Sequence, residues 1–205
     1  MGLTGLGLSG FVLTHMLGNL LIFLGADAYN LYGYKLTSNP IIYVAEMGLL
    51  AMVLCHIVIA FWLTKENKAA RPVSYAYAPQ GKAEASLASR TMIYSGTVLL
   101  VFIVHHLITF KYGPHYDTTV DGVVMRDLHR LMVEVFANPL YVIWYVVALL
   151  LMLGHLKHGV ASTFQSLGFN HPKYTPWIKC AGVAYAFIVV IGFISQPLYV
   201  YFFQK

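Results

Sequence analysis

LLLMLGHLKHGVASTFQSLG, residues 149–168, passes from unbroken hydrocarbon side chains into two histidines and a lysine, and then into a polar tail. It closes an apolar block that begins near residue 138. A helix that is apolar all round has no face to offer water, so it belongs in a large protein core or in a membrane. Composition decides between the two. Of the 205 residues, 59% are hydrophobic and 10% charged, against roughly 45–50% apolar and about 25% charged in soluble domains. The excess comes in blocks of the ~20 residues that a helix needs to cross a hydrocarbon core; in water such blocks would be exposed, aggregating surface.

Five blocks qualify, at roughly 3–25, 40–63, 90–111, 138–162 and 177–202. The expected fold is an all-α integral membrane protein, a single membrane domain over 1–205 built as a five-helix transmembrane bundle. Helix-starting or breaking punctuation stands before the later blocks: SNP, SR, ANP and TP in turn. The first block opens at Met1 without a basic leader or an A-x-A-like site, and reads as a retained span. Between the third and fourth blocks, DGVVMRDLHRLMVEVFANP sets Val124, Leu128, Leu131, Met132 and Val135 at helical spacing. This predicts a short amphipathic outer helix over roughly 122–136, resting on lipid or on the protein's own surface.

The formal charge of +5 does not point to nucleic acid, because the basic residues lie in the connections between apolar blocks. Anionic lipid headgroups and topology account for them. Eight basic residues (Lys65, Lys68, Arg71, Lys82, Arg90, Lys157, Lys173 and Lys179) fall on one side and five on the other. By the positive-inside bias the N-terminus is expected in the cytoplasm and the C-terminus outside. Cys55 and Cys180 form no C-x-x-C or C-x-x-C-H pattern, so neither a disulfide framework nor covalent heme attachment is indicated.

Histidines carry the chemistry. The chain has nine, and five of them (His15, His56, His105, His106 and His155) fall inside apolar blocks, where an ionisable group is costly and marks function by default. At about 1.5 Å per residue, His56 lies about sixteen and His155 about seventeen residues into helices running from outside to inside. His106 lies about sixteen residues into an outward-running helix and His15 about a dozen into another. Two imidazoles at each of two depths, from four helices, suit bis-histidine ligation of two hemes. The small residues Gly18, Gly154 and Gly159 would let a flat macrocycle approach the backbone. The plainer alternative is that each histidine only hydrogen-bonds a neighbouring helix. Zinc fits less well, since it needs three or four protein ligands at one point.

Four blocks carry a resemblance: GLTGLGLSGFVLTHMLGNLL, CHIVIAFWLTKENKAARPVSY, SRTMIYSGTVLLVFIVHHLITFKYGP and GHLKHGVASTFQSLGFNHPKY. They are similar to the cytochrome b membrane-anchor subunit of succinate dehydrogenase and fumarate reductase, in its single-subunit, five-helix, di-heme form. The H-L-x-H-G run followed by S-x-x-Q-x-L-G is the most specific part. The resemblance implies an anchor for a flavoprotein subunit and an iron–sulfur subunit in the bacterial cytoplasmic (inner) membrane. It further implies electron transfer through two b hemes (cofactor heme b) to a quinone, commonly menaquinone. Dicarboxylate chemistry would lie on the partner subunits, and no catalytic residue is expected in this chain. By the resemblance, the heme nearer the soluble subunits is held by His56 and His155 and the far one by His15 and His106, the pairs that depth had already grouped.

Several choices stay open at this level. In VHHL the family pattern favours His106, but a shift to His105 turns the side chain by about 100°. His158, one turn beyond His155, meets a heme propionate or a quinone, or is only an interfacial histidine. Arg90 and Arg71 either pair with a propionate or are ordinary positive-inside residues. The family usually begins with a short basic, serine-containing segment, whereas this chain opens at MGLTG. Two rival readings are a di-heme cytochrome b serving another dehydrogenase, and a non-redox carrier whose histidines relay protons.

Overall fold

The computed structural model describes residues 1–70 and 87–204. Among them, five helices are long and apolar enough to cross a membrane: Gly2–Leu24, Ile41–Ala69, Met92–Lys111, Pro139–Ser166 and Thr175–Phe203. The first is α1 (Gly2–Asn19) continued by a tighter turn over Leu20–Leu24. It is followed by α2 (Ala26–Thr37), α3 (Ile41–Ala69) and the single turn α4 (Leu87–Arg90). Next come α5 (Met92–His106), widened over Leu107–Lys111 into a π turn, and a hairpin of β1 (Asp117–Val120) and β2 (Val123–Arg126). The chain closes with α6 (Leu128–Phe136), α7 (Pro139–Ser166) and α8 (Thr175–Phe203).

The helix ends follow local chemistry. Asn138 caps α7 by accepting a hydrogen bond from the Leu140 N–H at 2.9 Å, with Pro139 in the first turn where no donor is needed. At the other end Gly168 takes φ +90°, and the Phe169 N–H donates to the Phe164 carbonyl at 2.9 Å. This left-handed glycine stop closes the helix inside the SLG of residues 166–168. Helix α3 runs past the expected 63, through Lys65, Glu66 and Lys68, all good helix formers, to Ala69.

Lipid-facing surface is plain on α3, which buries no residue: Val44 is 73% and Trp62 64% exposed. That much exposed hydrocarbon on one helix is stable only in an apolar solvent. Its carboxylate within the span, Glu46, pairs with Lys111 at the end of the π turn. Packing centres on α7 against α8, where Leu156, Ala186 and Val189 are buried together. A second core, of Ile22, Tyr29, Met132, Phe136, Val142, Tyr145 and Val200, ties the helices to α2 and α6 at the hairpin end. Glycine allows close approach: a Cβ at Gly192 would meet the Met16 sulfur, so α8 and α1 touch there.

The expected amphipathic helix over 122–136 is realised only from Leu128; residues 123–126 form β2 instead. The reason is local. Asp121 and Gly122, both with positive φ (50° and 78°), make the two-residue D-G turn that suits a hairpin, and the valines and threonines around it prefer extended backbone. Helix α6 then starts at Asp127, whose carboxylate accepts from the Arg130 N–H at 2.9 Å. Asn30 of α2, 1% exposed, locks this unit: its amide donates to Asp127 at 2.9 Å and its oxygen accepts from the His129 N–H at 3.0 Å.

Asn30→Ala strands the His129 N–H and leaves Asp127 Oδ1 with the Arg130 N–H alone, and is expected to cost about 1–3 kcal/mol, read as a lower unfolding midpoint in detergent. Gly113→Ala tests the π turn, because an added Cβ would overlap the Thr109 carbonyl oxygen; a loss of about 1–3 kcal/mol is expected from the overpacking. An unchanged midpoint in both variants would show that the hairpin end does not stabilise the bundle.

Candidate functional site

Four helices bring four histidines into two facing pairs. The rings of His56 on α3 and His155 on α7 lie 6.4 Å apart between centroids, inclined at 60°. Those of His15 on α1 and His106 on α5 lie 5.8 Å apart at 86°. All four are partly buried. Among the described residues no three or more His, Cys, Asp or Glu gather into a metal cluster, so the donor sets are two-histidine pairs. Imidazole nitrogens bind a first-row metal such as zinc at about 2.0–2.1 Å, so two rings on opposite sides of one ion have centres about 6–6.5 Å apart. The His56–His155 gap fits that span and the His15–His106 gap falls just short of it. Two neutral imidazoles at each level are a donor set that would hold a heme iron, His56 with His155 and His15 with His106.

Each imidazole is held by its own surroundings. His15 stacks on Phe11 of the preceding turn, with centroids 5.3 Å apart and rings 13° from parallel. His106 lies between Phe102 and Phe110, and its Nδ1 is 3.2 Å from the Tyr145 hydroxyl. Tyr145 is fixed in turn by edge-on contacts to Phe102 and Phe136, at 4.9 and 5.0 Å. On the other pair, Thr4 Oγ1 lies 3.2 Å from His56 Nδ1, and Ser95 Oγ 3.2 Å from His155 Nδ1. Gly96 makes room beside His155, since a Cβ there would stand 3.4 Å from the ring. Near His15, Asn19 donates to the His15 carbonyl at 2.8 Å and places the same amide nitrogen 3.4 Å from Nδ1. The Asn19 oxygen accepts from Tyr29 at 2.7 Å. Burial holds the Tyr29 phenol well above its ordinary pKa, so it remains a donor.

The register between the adjacent histidines of α5 is distinct in the structure. His106 faces His15, whereas His105 turns toward Tyr141 and Trp144, at 5.3 and 6.3 Å. The buried His105 Nδ1 has no hydrogen-bond partner among the described residues. His158 lies one turn past His155, partly buried and without a hydrogen bond among the described residues. Arg90 ends α4, exposed, on a turn that packs against α5 and α7; Arg71 lies outside the described residues. Of the glycines expected to admit a macrocycle, Gly154 and Gly159 face open space. Gly18 does not: a Cβ there would run into the Tyr32 ring, so this glycine serves packing of α2 on α1.

Sequence reasoning missed Thr4, Ser95, Asn19 and Tyr145. A signal for the first two was present. Thr4 precedes His15 by eleven residues, and Ser95 precedes His106 by the same interval. Eleven steps of about 100° return to within about 20° of the starting face, about 16 Å along the helix. So α1 and α5 each present a hydroxyl to one histidine pair and an imidazole to the other.

Comparisons with curated proteins and with solved structures returned no match. Residues 64–190 match the family described as succinate dehydrogenase/fumarate reductase transmembrane subunit. The match takes in Arg90, His106, His155 and His158, while His15 and His56 precede it. It covers more than half of the chain and four of the five spans in whole or part, and the fold is that of an all-α, multi-pass membrane protein, as a transmembrane subunit requires. The chain therefore belongs to the transmembrane subunits of succinate dehydrogenase and fumarate reductase.

Proposed function

We propose that this subunit is the single-chain, di-heme form: a cytochrome b that carries electrons between an iron–sulfur subunit and membrane menaquinone, and anchors that subunit and a flavoprotein. The observation that carries the reading is the pairing of imidazoles, His56 with His155 and His15 with His106, at two levels of one bundle. Each pair would hold one heme b through neutral nitrogens, and heme b supplies a one-electron couple when bound. The chain's own part is to orient the four rings, exclude water with the aromatic groups around His15 and His106, and space the levels. Helix α1 sets that spacing: Thr4 stands beside one pair and His15 belongs to the other, about 16 Å along the axis.

The reading places the His56–His155 level toward the cytoplasm, where the soluble subunits would dock, in a bacterial cytoplasmic membrane with the N-terminus inside. The excess of basic residues in the connections at that end supports this orientation. His158 and Arg90 sit toward the same end, as a partly buried imidazole and an exposed guanidinium suited to anionic propionates or a quinone. Dicarboxylate chemistry belongs to the partner subunits.

In the complex purified from membranes, a reduced-minus-oxidised spectrum is expected to show two low-spin b hemes, with a flavoprotein co-purifying. His56→Ala or His155→Ala removes one heme and spares the other, and His15→Ala or His106→Ala does the converse. His105→Ala retains both. The heme reading is falsified if the wild-type complex shows no low-spin bands; loss of a heme in His105→Ala but not in His106→Ala would overturn the register.

A further inference from the structure

We infer that Thr4 and Ser95 are positioning residues that fix the tautomer of His56 and His155, keeping a proton on each Nδ1 and leaving each Nε2 lone pair free to bind metal. The inference rests on the heme reading above and adds to it the residues that prepare the ligands.

A count of protons carries the argument. Thr4 Oγ1 donates to the Met1 carbonyl at 2.9 Å and stands 3.2 Å from His56 Nδ1. Ser95 Oγ donates to the Met92 carbonyl at 3.1 Å and stands 3.2 Å from His155 Nδ1. A carbonyl only accepts, and a hydroxyl has one proton to give. With that proton committed to the backbone, each oxygen meets its imidazole with lone pairs alone. The hydrogen bond between them must then be donated by Nδ1–H. In a neutral imidazole the opposite nitrogen is the unprotonated one, and that nitrogen is the ligand.

The same arrangement arises twice, from different residue types on different helices, and is confined to one histidine pair. At the other pair, the Tyr145 hydroxyl has no second acceptor among the described residues and is free to donate or accept, while His15 Nδ1 is met by an amide nitrogen. His105 and His158 have no such partner among the described residues. Accepting a hydrogen bond from Nδ1–H also makes the ring a stronger electron donor through Nε2. The two hydroxyls therefore favour the oxidised metal at this level, and removing either one makes reduction easier.

In the purified complex, Thr4→Val and Ser95→Ala are expected to keep both hemes and to raise the midpoint potential of the heme held by His56 and His155. Its low-spin EPR signal should shift with it, and the other heme serves as the internal control. The expected change is up to about tenfold in the reduction equilibrium, about 59 mV for a one-electron centre. Thr4→Ser and Ser95→Thr, which keep the hydroxyl, are expected to return the wild-type values. Unchanged potentials and EPR signals in Thr4→Val and Ser95→Ala overturn this inference and leave the heme reading standing. A wild-type complex with no low-spin heme overturns both. If Ser95→Ala and Ser95→Thr both lose the heme, packing and not the hydroxyl is what matters, and the inference fails.

Discussion

Hydrocarbon offers no hydrogen bonds, so a polar group that this chain carries into a membrane is costly unless the chain itself satisfies it. Backbone groups meet the demand by folding into five long helices. Side chains meet it more selectively. Glu46 pairs with Lys111, the Thr14 and Thr97 hydroxyls bond back to carbonyls of their own helices, and the four paired imidazoles are met by hydroxyls and one amide from neighbouring turns and helices, whereas His105 Nδ1 has no such partner among the described residues. An imidazole is an expensive way to join two helices under this constraint. Four of them meet in two pairs, one edge-on and one tilted.

The arrangement divides labour among the spans. Helices α3 and α7 supply one pair, α1 and α5 the other. Helix α8 offers a ring from Phe193 to His15 and otherwise packs on α7 and α1. Aromatic rings pack around His106 at that end of the bundle, and Asn30 and Asp127 fasten the hairpin and α6 there. The opposite pair rests on lighter supports: two hydroxyls and the space left by Gly96. Two pairs of the same residue type are thus held by different neighbours.

Much of this was legible in the sequence because the governing patterns are long. Twenty-residue apolar blocks and imidazoles at counted depths survive uncertainty of a few residues at any boundary, and the pairing of His15 with His106 and of His56 with His155 needed nothing finer. Short-range features fared worse. The D-G turn at Asp121–Gly122 was overlooked because Val124 happens to fit the helical period of the segment after it. Helix α2 was read as a connection because it is too polar and short to register as a span. Gly18 was assigned to a cofactor when its neighbour is Tyr32, a contact between segments that no periodicity reveals. Thr4 and Ser95 looked like ordinary helix residues, since their meaning depends on what lies across the interface.

The interval shared by Thr4 and His15 and by Ser95 and His106 makes α1 and α5 two-ended gauges. A substitution between those positions alters the contacts of one side chain and leaves the two ends in register. One residue inserted or deleted rotates everything beyond it by about 100° and moves it about 1.5 Å, so the hydroxyl and the imidazole could no longer both face their partners. Within these stretches the length of the chain is held by the partners at both ends.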